Sequence, residues 1–284
     1  MKTGIVDVGG GMRGIYAAGV LDWCMDHDIT FDVGVGVSAG SANLASFTAK
    51  QPRRNFQFYS EYALRKEYMS WGNFLRKRSY IDLDYVYGVL SNSDGENPLD
   101  YEALQKNPAE MLTVTTEAAT GKARYFPKNE LQLDAYHAFK ASSAIPTVCK
   151  PYVIDGTPYF DGALSDPIPI QQAFNLGCDK VVLLLTLPED TVRTSDTDRK
   201  LARGIRRKYP VAAKMLEQRA QRYNDGVALA RRYAGWGKLL IVAPDDTCGV
   251  RTLTRDADAL KRLYEKGYQD GQKIETFLQQ DLSR

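Results

Sequence analysis

The sequence predicts an α/β fold around a mainly parallel sheet, and two patterns carry this prediction. In the first part of the chain, apolar runs at 3–8 and 31–37 each end in a glycine-containing turn that leads into a helical pattern. Such alternation is typical of parallel strands joined by helices. Further on, 180–187 and 238–243 are nearly continuous apolar runs, the pattern of strands covered on both faces.

The remaining elements follow from periodicity and turn chemistry. Residues 13–28 place apolar side chains at helical spacing, and 39–50 read as a helix of small residues. A helix is expected at 133–144, stopped by Pro146. Asp-Gly at 155–156 separates two β-prone runs, a strong hairpin signal. The other predicted elements are irregular helices at 55–88, strands at 111–118 and 123–126, hairpin strands at 152–154 and 158–160, and a closing helix at 255–280.

Length and composition are those of a folded globular protein. The chain has 284 residues, of which 44% are hydrophobic and 25% charged. At this length, folding buries roughly 75% of the surface of the unfolded chain, so stability needs no disulfide or metal. No apolar run approaches the ~18 residues of a membrane span. Disordered, collagen-like and coiled-coil chains are excluded.

The cysteines and the N-terminus predict a cytoplasmic protein. The four cysteines lie far apart and form no Cys-x-x-Cys pair. This excludes a zinc knuckle and a dense disulfide framework. No apolar signal segment precedes Asp7.

Charge is distributed unevenly along the chain. The net charge of +2 is too small to indicate a nucleic-acid partner. Residues 191–238 hold thirteen basic and four acidic residues, so this segment carries +9. A solvated helical face and a surface for anionic lipid both fit such a segment, and no nucleic-acid recognition motif accompanies it. We therefore expect no nucleic-acid partner, a core at 1–190, and a basic helical extension at 191–284 with one strand returning to the sheet.

Residues 36–40 read Gly-Val-Ser-Ala-Gly, between a predicted strand and a predicted helix. A serine on such a tight turn holds its hydroxyl clear of the backbone, as a nucleophile requires. The flanking glycines remove side chains that would clash there. Ser38 is therefore a candidate nucleophile.

A second glycine motif, Gly-Gly-Gly-Met-Arg-Gly at 9–14, also joins a strand to a helix. Its backbone N–H groups can converge on one anion. That anion could be the oxyanion of acyl transfer or the pyrophosphate of a dinucleotide. A dinucleotide site requires an acid at the end of the second strand. Here Asp32 stands at the start of that strand and Ser38 at its end.

Asp161, in the Asp-Gly-Ala sequence at 161–163, is the candidate base. A serine nucleophile normally relies on histidine, and this chain has only two. His27 ends a helix among acidic residues, and His137 reads as a structural residue. Without them, a carboxylate must take the serine proton, and burial would make it a better acceptor. The alternative for Asp161 is an ordinary turn residue.

Together, the motifs at 9–14, 36–40 and 161–163 resemble those of the patatin-like phospholipase family in order and spacing. The stretch at 141–146 resembles the one that precedes the Asp-Gly hairpin of that family. The resemblance covers about residues 3–187 and is nearest to the bacterial members. It implies a patatin-like three-layer α/β/α fold with a mainly parallel central sheet and a helical C-terminal extension.

The resemblance also implies an activity. Ser38 would be the nucleophile and Asp161 the base of a Ser–Asp dyad. The protein would hydrolyse acyl esters of lipids, as a phospholipase A or lysophospholipase-like esterase, without calcium, another metal or a cofactor. Two alternatives remain open: acyl transfer at the same site, and a non-enzymatic lipid- or anion-binding protein. The joint presence of serine, aspartate and glycine loop argues against the second.

The glycine loop would form the oxyanion hole of this esterase. The resemblance assigns that role to the N–H groups of Gly10 and Gly11, helped by the loop from Gly9 to Met12. Arg13 follows directly and could contact a substrate phosphate. Its alternative is a helix N-terminal residue that faces solvent or a neighbouring carboxylate.

Three positions depart from the family pattern. Many members have an aspartate directly before the glycines, where this chain has Val8 and carries the acid one position earlier, at Asp7. Ala163 replaces the commoner glycine, and Asp166 stands where many members have asparagine. None of these changes removes a reacting atom.

Lipid contact is predicted for an aromatic segment after the predicted helix at 39–50. Amphipathic aromatic residues beside cations suit a lipid–water interface, although a packed cap over the sheet is an equal alternative. The expected partners are a phospholipid, lysophospholipid or other acyl ester, with peripheral contact to an anionic inner membrane face. The segment comprises Tyr59, Tyr62, Tyr68, Met69, Trp71, Phe74, Tyr80, Tyr85 and Tyr87, with Arg76, Lys77 and Arg78 among them.

Overall fold

A computed structural model describes residues 1–280 and places eight strands in one sheet. The strands are β1 (Thr3–Asp7), β2 (Val33–Val37), β3 (Glu110–Glu117), β4 (Ala123–Pro127), β5 (Tyr152–Ile154), β6 (Thr157–Asp161), β7 (Lys180–Leu184) and β8 (Leu239–Val242). The helices are α1 (Ile15–Asp26), α2 (Ala39–Thr48), α3 (Arg54–Ser60), α4 (Trp71–Lys77), α5 (Leu83–Tyr85), α6 (Tyr101–Lys106), α7 (His137–Ser142), α8 (Ile170–Asn175), α9 (Asp196–Ile205), α10 (Pro210–Gly235), α11 (Ala257–Asp270) and α12 (Gln272–Gln279). Short 3₁₀ turns occur at Gly11–Gly14, Tyr62–Leu64, Lys128–Glu130 and Gly162–Leu164, and a π-helical turn at Val86–Leu90.

The sheet has a parallel part and an antiparallel part. Its order is β5-β6-β3-β2-β1-β7-β8, and β4 also pairs with β3. The strands β3, β2, β1, β7 and β8 run parallel, whereas β4, β5 and β6 add antiparallel pairings. The mainly parallel α/β sheet predicted from the sequence is therefore confirmed.

The connections from β1 place a crevice at the carboxyl ends of the central strands. From β1 the chain moves to β2 and β3 on one side, and it later returns to β7 on the other side of β1. Open α/β sheets bind ligands outside the carboxyl ends of their strands where the order reverses in this way. The glycine loop follows β1 and the Gly-x-Ser-x-Gly turn follows β2, so both motifs lie at this edge.

Helices cover both faces of the sheet. Successive side chains along a strand point to opposite faces, so neighbouring apolar residues enter different cores. Ile5 belongs to a core formed with α1, α2 and α11. Its neighbour Val6 belongs to a second core, formed with α8 and α10. The strand β8 pairs with β7, and residues 191–280 contribute side chains to both cores. The predicted boundary at residue 190 stays a prediction. The last four residues of the predicted extension, 281–284, lie outside the described part of the chain.

The predicted hairpin is confirmed. The strands β5 and β6 are antiparallel, and both turn residues have positive φ, 48° at Asp155 and 77° at Gly156. This is the backbone of a type I′ turn, which Asp-Gly favours.

Three predicted boundaries are wrong. The helix expected from 133 begins at His137, because Asp134 has a φ of 58° and its carboxylate accepts hydrogen bonds from Ser93. The closing helix divides at Gly271, where a Cβ would lie 2.7 Å from the Trp23 side chain. The strand expected at 180–187 ends at Leu184. Thr186 and Leu187, which follow it, line the crevice.

Among residues 1–280, no helix combines the length and apolar character needed to cross a membrane.

Candidate active site

Ser38 lies on a sharp turn between β2 and α2. Its backbone has φ 55° and ψ −130°, a strained conformation for a residue other than glycine. A Cβ on Gly36 would lie 2.5 Å from the Cα of Ser41, and one on Gly40 would lie 2.3 Å from the carbonyl oxygen of Asp7. Both glycines are therefore needed for the strand, turn and helix to pack this closely, which is the geometry of a nucleophile elbow.

The glycine loop packs directly against this elbow. Gly9, Gly10 and Gly11 have φ values of 63°, 126° and 61°, which favour glycine. A Cβ on Gly9 would lie 2.3 Å from the carbonyl oxygen of Val37, the residue before Ser38.

The four residues predicted for the oxyanion hole differ in the state of their N–H groups. The N–H of Gly9 donates to the Asp7 carboxylate at 2.8 Å, and that of Met12 donates to the carbonyl of Thr252 at 3.0 Å. The N–H groups of Gly10 and Gly11 have no hydrogen-bond partner within residues 1–280. Only these two are free to bind an oxyanion.

Asp7 anchors the glycine loop through hydrogen bonds of its carboxylate. It is fully buried, and its second oxygen accepts a hydrogen bond from the Asn43 amide at 3.0 Å. That amide also donates to the carbonyl of Gly14 at 3.0 Å, and the Asn43 oxygen accepts from Tyr59 at 3.2 Å. Burial raises the pKa of Asp7 to about 6, against the hydrogen bonds from Asn43 and Gly9. Asp7 and Asn43 together thus tie both ends of the loop to α2.

Asp161 ends β6 next to Ser38. Its carboxylate is buried and accepts the N–H of Ala163 at 2.8 Å. A Cβ on Gly162 would lie 2.3 Å from the carbonyl oxygen of Val114, so glycine is needed for this turn to pack on β3. Burial raises the pKa of Asp161, while the Ala163 N–H and the adjacent Ser38 hydroxyl act to lower it. A raised pKa makes this carboxylate a better proton acceptor.

Ser142 fixes the backbone of the elbow. Its hydroxyl accepts the N–H of Ser38 at 2.8 Å and donates to the carbonyl of Val114 at 2.6 Å. It lies in the stretch at 141–146 that the sequence singles out by resemblance. The residue thereby links α7, β3 and the elbow.

Neither histidine lies with Ser38. His137 is exposed and its Nδ1 lies 2.8 Å from the Tyr152 hydroxyl. His27 is exposed at the end of α1 and stacks on Trp23. Asp32 is also remote from the glycine loop, since it bonds Thr3 at the amino end of β1. A dinucleotide at the loop would have no ribose-binding acid there.

Comparison with known proteins identifies the family of the chain. A sequence model described as patatin-like phospholipase matches residues 8–174, more than half of the chain. The chain belongs to the patatin-like phospholipase family. Its predicted patatin-like α/β fold is confirmed by this match and by the sheet described above. The match contains both Ser38 and Asp161.

Other matches extend along the rest of the chain. A model described as a domain of unknown function, DUF6363, matches residues 209–280. A relative in Escherichia coli K12, the uncharacterized protein YjjU, is 29% identical over 220 residues, which is 72% of this chain and 57% of that protein. The structure of VipD from Legionella pneumophila has 11% identity and a TM-score of 0.47, covering 96% of this chain and 66% of that one. The chain thus spans somewhat more than half the length of the curated relative.

In this patatin-like chain, Ser38 and Asp161 line one cavity of about 360 Å³ together with the glycine loop. We call Gly9, Gly10, Gly11, Ser38 and Asp161 the dyad region. Apolar side chains complete much of the lining: Val8, Ile145, Val148, Leu187, Leu201 and Leu253. Ser38 also lines a narrow pocket of about 40 Å³ whose walls are largely aromatic and aliphatic.

Three arginines line the same cavity: Arg13, Arg193 and Arg219. We call them the arginine cluster. Arg13 is buried, with 8% of its surface exposed, and donates to the Thr252 hydroxyl at 3.0 Å. Its guanidinium lies beside the loop, since a Cβ on Gly10 would be 3.1 Å from it. Arg13 therefore does not face solvent as the alternative predicted.

Sequence reasoning missed Arg193 and Arg219 as individual site residues. They were visible only as part of the basic excess of 191–238, which has no diagnostic spacing. It also missed Asn43 and Ser142 as positioning residues. Within residues 1–280, no group of three or more His, Cys, Asp or Glu side chains could hold a metal ion.

The aromatic segment divides into buried and exposed members. Tyr59, Tyr62, Met69 and Tyr87 are buried, as a packed cap requires. The helix α4 instead exposes its apolar side chains: Trp71 (72% exposed), Phe74 (40%) and Leu75 (80%).

Proposed function

We propose that this protein hydrolyses lipid acyl esters with a Ser38–Asp161 dyad and an oxyanion hole made by the N–H groups of Gly10 and Gly11. Membership of the patatin-like phospholipase family supports lipid hydrolysis as the general activity. The single observation that carries the finer proposal is the placement of Ser38 beside the buried carboxylate of Asp161, in a cavity that no histidine lines.

The reaction proceeds in two acyl-transfer steps. Asp161 accepts the hydroxyl proton of Ser38 as the Ser38 oxygen attacks the ester carbonyl carbon. The Gly10 and Gly11 N–H groups bind the resulting oxyanion, and losing one such donor typically costs about 2.7–4 kcal/mol. The proton then passes from Asp161 to the departing alcohol or lysolipid. Asp161 then deprotonates a water that attacks the acyl-enzyme. As the fatty acid leaves, Asp161 returns this proton to the Ser38 oxygen.

The test is hydrolysis of p-nitrophenyl acyl esters of several chain lengths in the presence of EDTA. Ser38→Ala and Asp161→Asn should each lower kcat by about 10³-fold or more. His137→Ala is the matched control and should retain wild-type turnover, because His137 lies outside the cavity.

Two outcomes would contradict the proposal. A folded His137→Ala variant without activity would mean that the base is wrongly assigned. A wild type without turnover on any chain length would favour a binding protein. Retained folding is checked by far-UV circular dichroism for each variant.

We further propose that the substrates are phospholipids, lysophospholipids or related acyl esters met at an anionic membrane surface. The last turn of α4 and the residue after it carry the exposed cations Arg76, Lys77 and Arg78 beside the exposed apolar side chains of this helix, a combination that suits a lipid interface. Trp71 packs on Tyr80, whose N–H donates to the carbonyl of the cavity residue Val148 at 2.8 Å. A cytoplasmic location and contact with the inner membrane face stay predictions.

Vesicle sedimentation tests this contact. Trp71→Ser with Leu75→Ser should weaken binding to phosphatidylglycerol vesicles by about tenfold or more, because two large apolar side chains no longer insert. Leu133→Ser removes an exposed apolar side chain outside α4 and should change nothing. If the α4 variant and the Leu133 variant bind the vesicles equally well, α4 is not part of the membrane-binding surface.

A further inference from the structure

The cavity beside Ser38 carries more positive charge than its two carboxylates balance. Arg13, Arg193 and Arg219 line it, while the acidic lining residues are Asp161 and Asp198. The dyad mechanism proposed above uses none of these three guanidinium groups. Their individual partners show which of them are available to a ligand.

Arg219 is already paired. Its Nε and one terminal nitrogen donate to the two oxygens of Asp198 at 3.1 and 2.6 Å. This two-point pair neutralises one guanidinium and occupies both oxygens of Asp198. Within residues 1–280, neither Arg13 nor Arg193 forms an ion pair with Asp161 or Asp198, the two acidic residues that line the cavity.

Arg13 has unused bonding capacity. The Nε of this buried side chain has no hydrogen-bond partner within residues 1–280. Leaving a charged donor buried and unbonded is costly. Burial, with Arg193 and Arg219 nearby, lowers the pKa of Arg13 to about 10. The charge nevertheless persists at neutral pH and lacks a counter-ion of its own.

Arg193 is fixed in place without using its guanidinium. The Asn224 side chain accepts the N–H of Arg193 and donates to its carbonyl, both at 2.9 Å. The guanidinium lies 4.5 Å above the centre of the buried Tyr223 ring. Within residues 1–280 it forms no hydrogen bond. Stacking of this kind orients the planar donor face while leaving the N–H groups free.

We propose that Arg13 and Arg193, backed by the Arg219–Asp198 pair, form a phosphate-binding subsite within the catalytic cavity. Guanidinium groups match phosphate oxygens in geometry and charge, and two of them offer more donors than one carboxylate accepts. The subsite selects acyl esters that carry a phosphate near the scissile bond. This substrate preference rests on the proposed esterase function, whereas the phosphate site itself does not.

Binding is tested first, in a protein that cannot turn over. Ser38→Ala is titrated calorimetrically with inorganic phosphate and with glycerol 3-phosphate. Adding Arg193→Gln should weaken the binding of glycerol 3-phosphate by about tenfold or more, because a charge-assisted contact is lost. Adding Arg199→Gln is the control, since Arg199 is exposed on α9 and outside the cavity.

The affinities of the two ligands distinguish a subsite for a lipid headgroup from a site that binds the free phosphate anion. Tighter binding of glycerol 3-phosphate than of inorganic phosphate supports a headgroup subsite. Equal binding of the two would overturn the selection of headgroups. Absence of binding, or equal loss in the Arg193 and Arg199 variants, would overturn the phosphate site.

Kinetics then test selectivity in the active protein. The substrates are a short-chain acylglycerol 3-phosphate and the matching acylglycerol without phosphate. The ratio of their kcat/KM values should fall by about tenfold in Arg193→Gln, through KM of the phosphate substrate, and stay at the wild-type value in Arg199→Gln. An unchanged ratio in Arg193→Gln would overturn the proposal. If the wild type hydrolyses neither ester, the esterase function fails, and the titration still decides the phosphate site.

Discussion

The dyad region and the arginine cluster line one cavity but are held in place by different means. In the dyad region, backbone segments approach so closely that a single added Cβ at Gly9 would lie 2.3 Å from a carbonyl oxygen. In the arginine cluster, long side chains reach the cavity from three segments: the 3₁₀ turn at Gly11–Gly14, the loop before α9, and α10. Arg193 depends on an amide clamp and one aromatic ring.

This difference predicts how each part responds to change. Tightly packed backbone relaxes little, so even one added methyl group there lowers the free energy of unfolding. Stacked or paired arginines can be replaced with little disturbance of the fold, and their loss should affect ligand selectivity instead.

The largest effect is expected for Gly9→Ala. The new Cβ would have to occupy space taken by backbone atoms of the elbow, at a φ of 63°. The backbone strain of ~1–2 kcal/mol and an overpacking cost of ~1–3 kcal/mol together lower the free energy of unfolding by about 4 kcal/mol. Urea denaturation measures this change.

Gly156→Ala is the matched control for that substitution. Gly156 also has a positive φ, 77°, but a Cβ there meets nothing within 4 Å. Only the strain of ~1–2 kcal/mol applies. Equal losses in the two variants would show that close packing at the elbow contributes nothing.

The contrast between the two parts also explains what could be predicted from sequence. Where a Cβ cannot fit, as at Gly36, Gly40 and Gly162, only glycine works, and the requirement appears as a motif. Ser38 and Asp161 stand within or beside the motifs that contain these obligatory glycines, so the sequence could single them out as candidates. The parallel sheet was predictable for a similar reason, because strands covered on both faces must be apolar along their length.

Side chains that act through tertiary contacts leave no such pattern. Arg193 and Arg219 resemble any other basic residue of 191–238, since reaching the cavity depends on Asn224 and Asp198, which spacing does not reveal. The helix expected at 133 failed likewise, because Ser93, distant in sequence, holds Asp134 in a turn.

Asp7→Asn tests the buried acid that supports the dyad region. Asp7 has a pKa of about 6 in the folded protein against an ordinary 3.8. Between these values the folded state keeps a proton that the unfolded state has lost, so this group lowers stability as pH rises. Since one pKa unit is worth about 1.4 kcal/mol, the total is about 3 kcal/mol.

Asparagine cannot ionise and lacks this dependence. The free energy of unfolding of Asp7→Asn minus that of the wild type should therefore rise by about 3 kcal/mol between about pH 4 and pH 6. Denaturation at several pH values measures the difference. A difference that stays constant or falls with pH would mean that burial does not raise the pKa of Asp7.

The pH profile of kcat/KM on a neutral ester tests the base. Burial raises the pKa of Asp161, so the acid limb should lie above the usual aspartate range. Activity should fall about tenfold per pH unit below that pKa, because protonated Asp161 cannot accept the Ser38 proton. His137→Ala should show the same limb. A limb that disappears in His137→Ala would contradict the dyad.

The smallest effect is expected at Thr252, where the two parts of the cavity meet. Its carbonyl accepts the N–H of Met12, and its hydroxyl accepts a hydrogen bond from Arg13. Thr252→Val keeps the carbonyl and the side-chain shape while removing the hydroxyl. The preference for a phosphate-bearing ester over its neutral counterpart should then fall about threefold, the value of one modest hydrogen bond. If hydrolysis of both esters falls equally, Thr252 couples the arginines to the oxyanion loop, and the two parts of the cavity do not act independently.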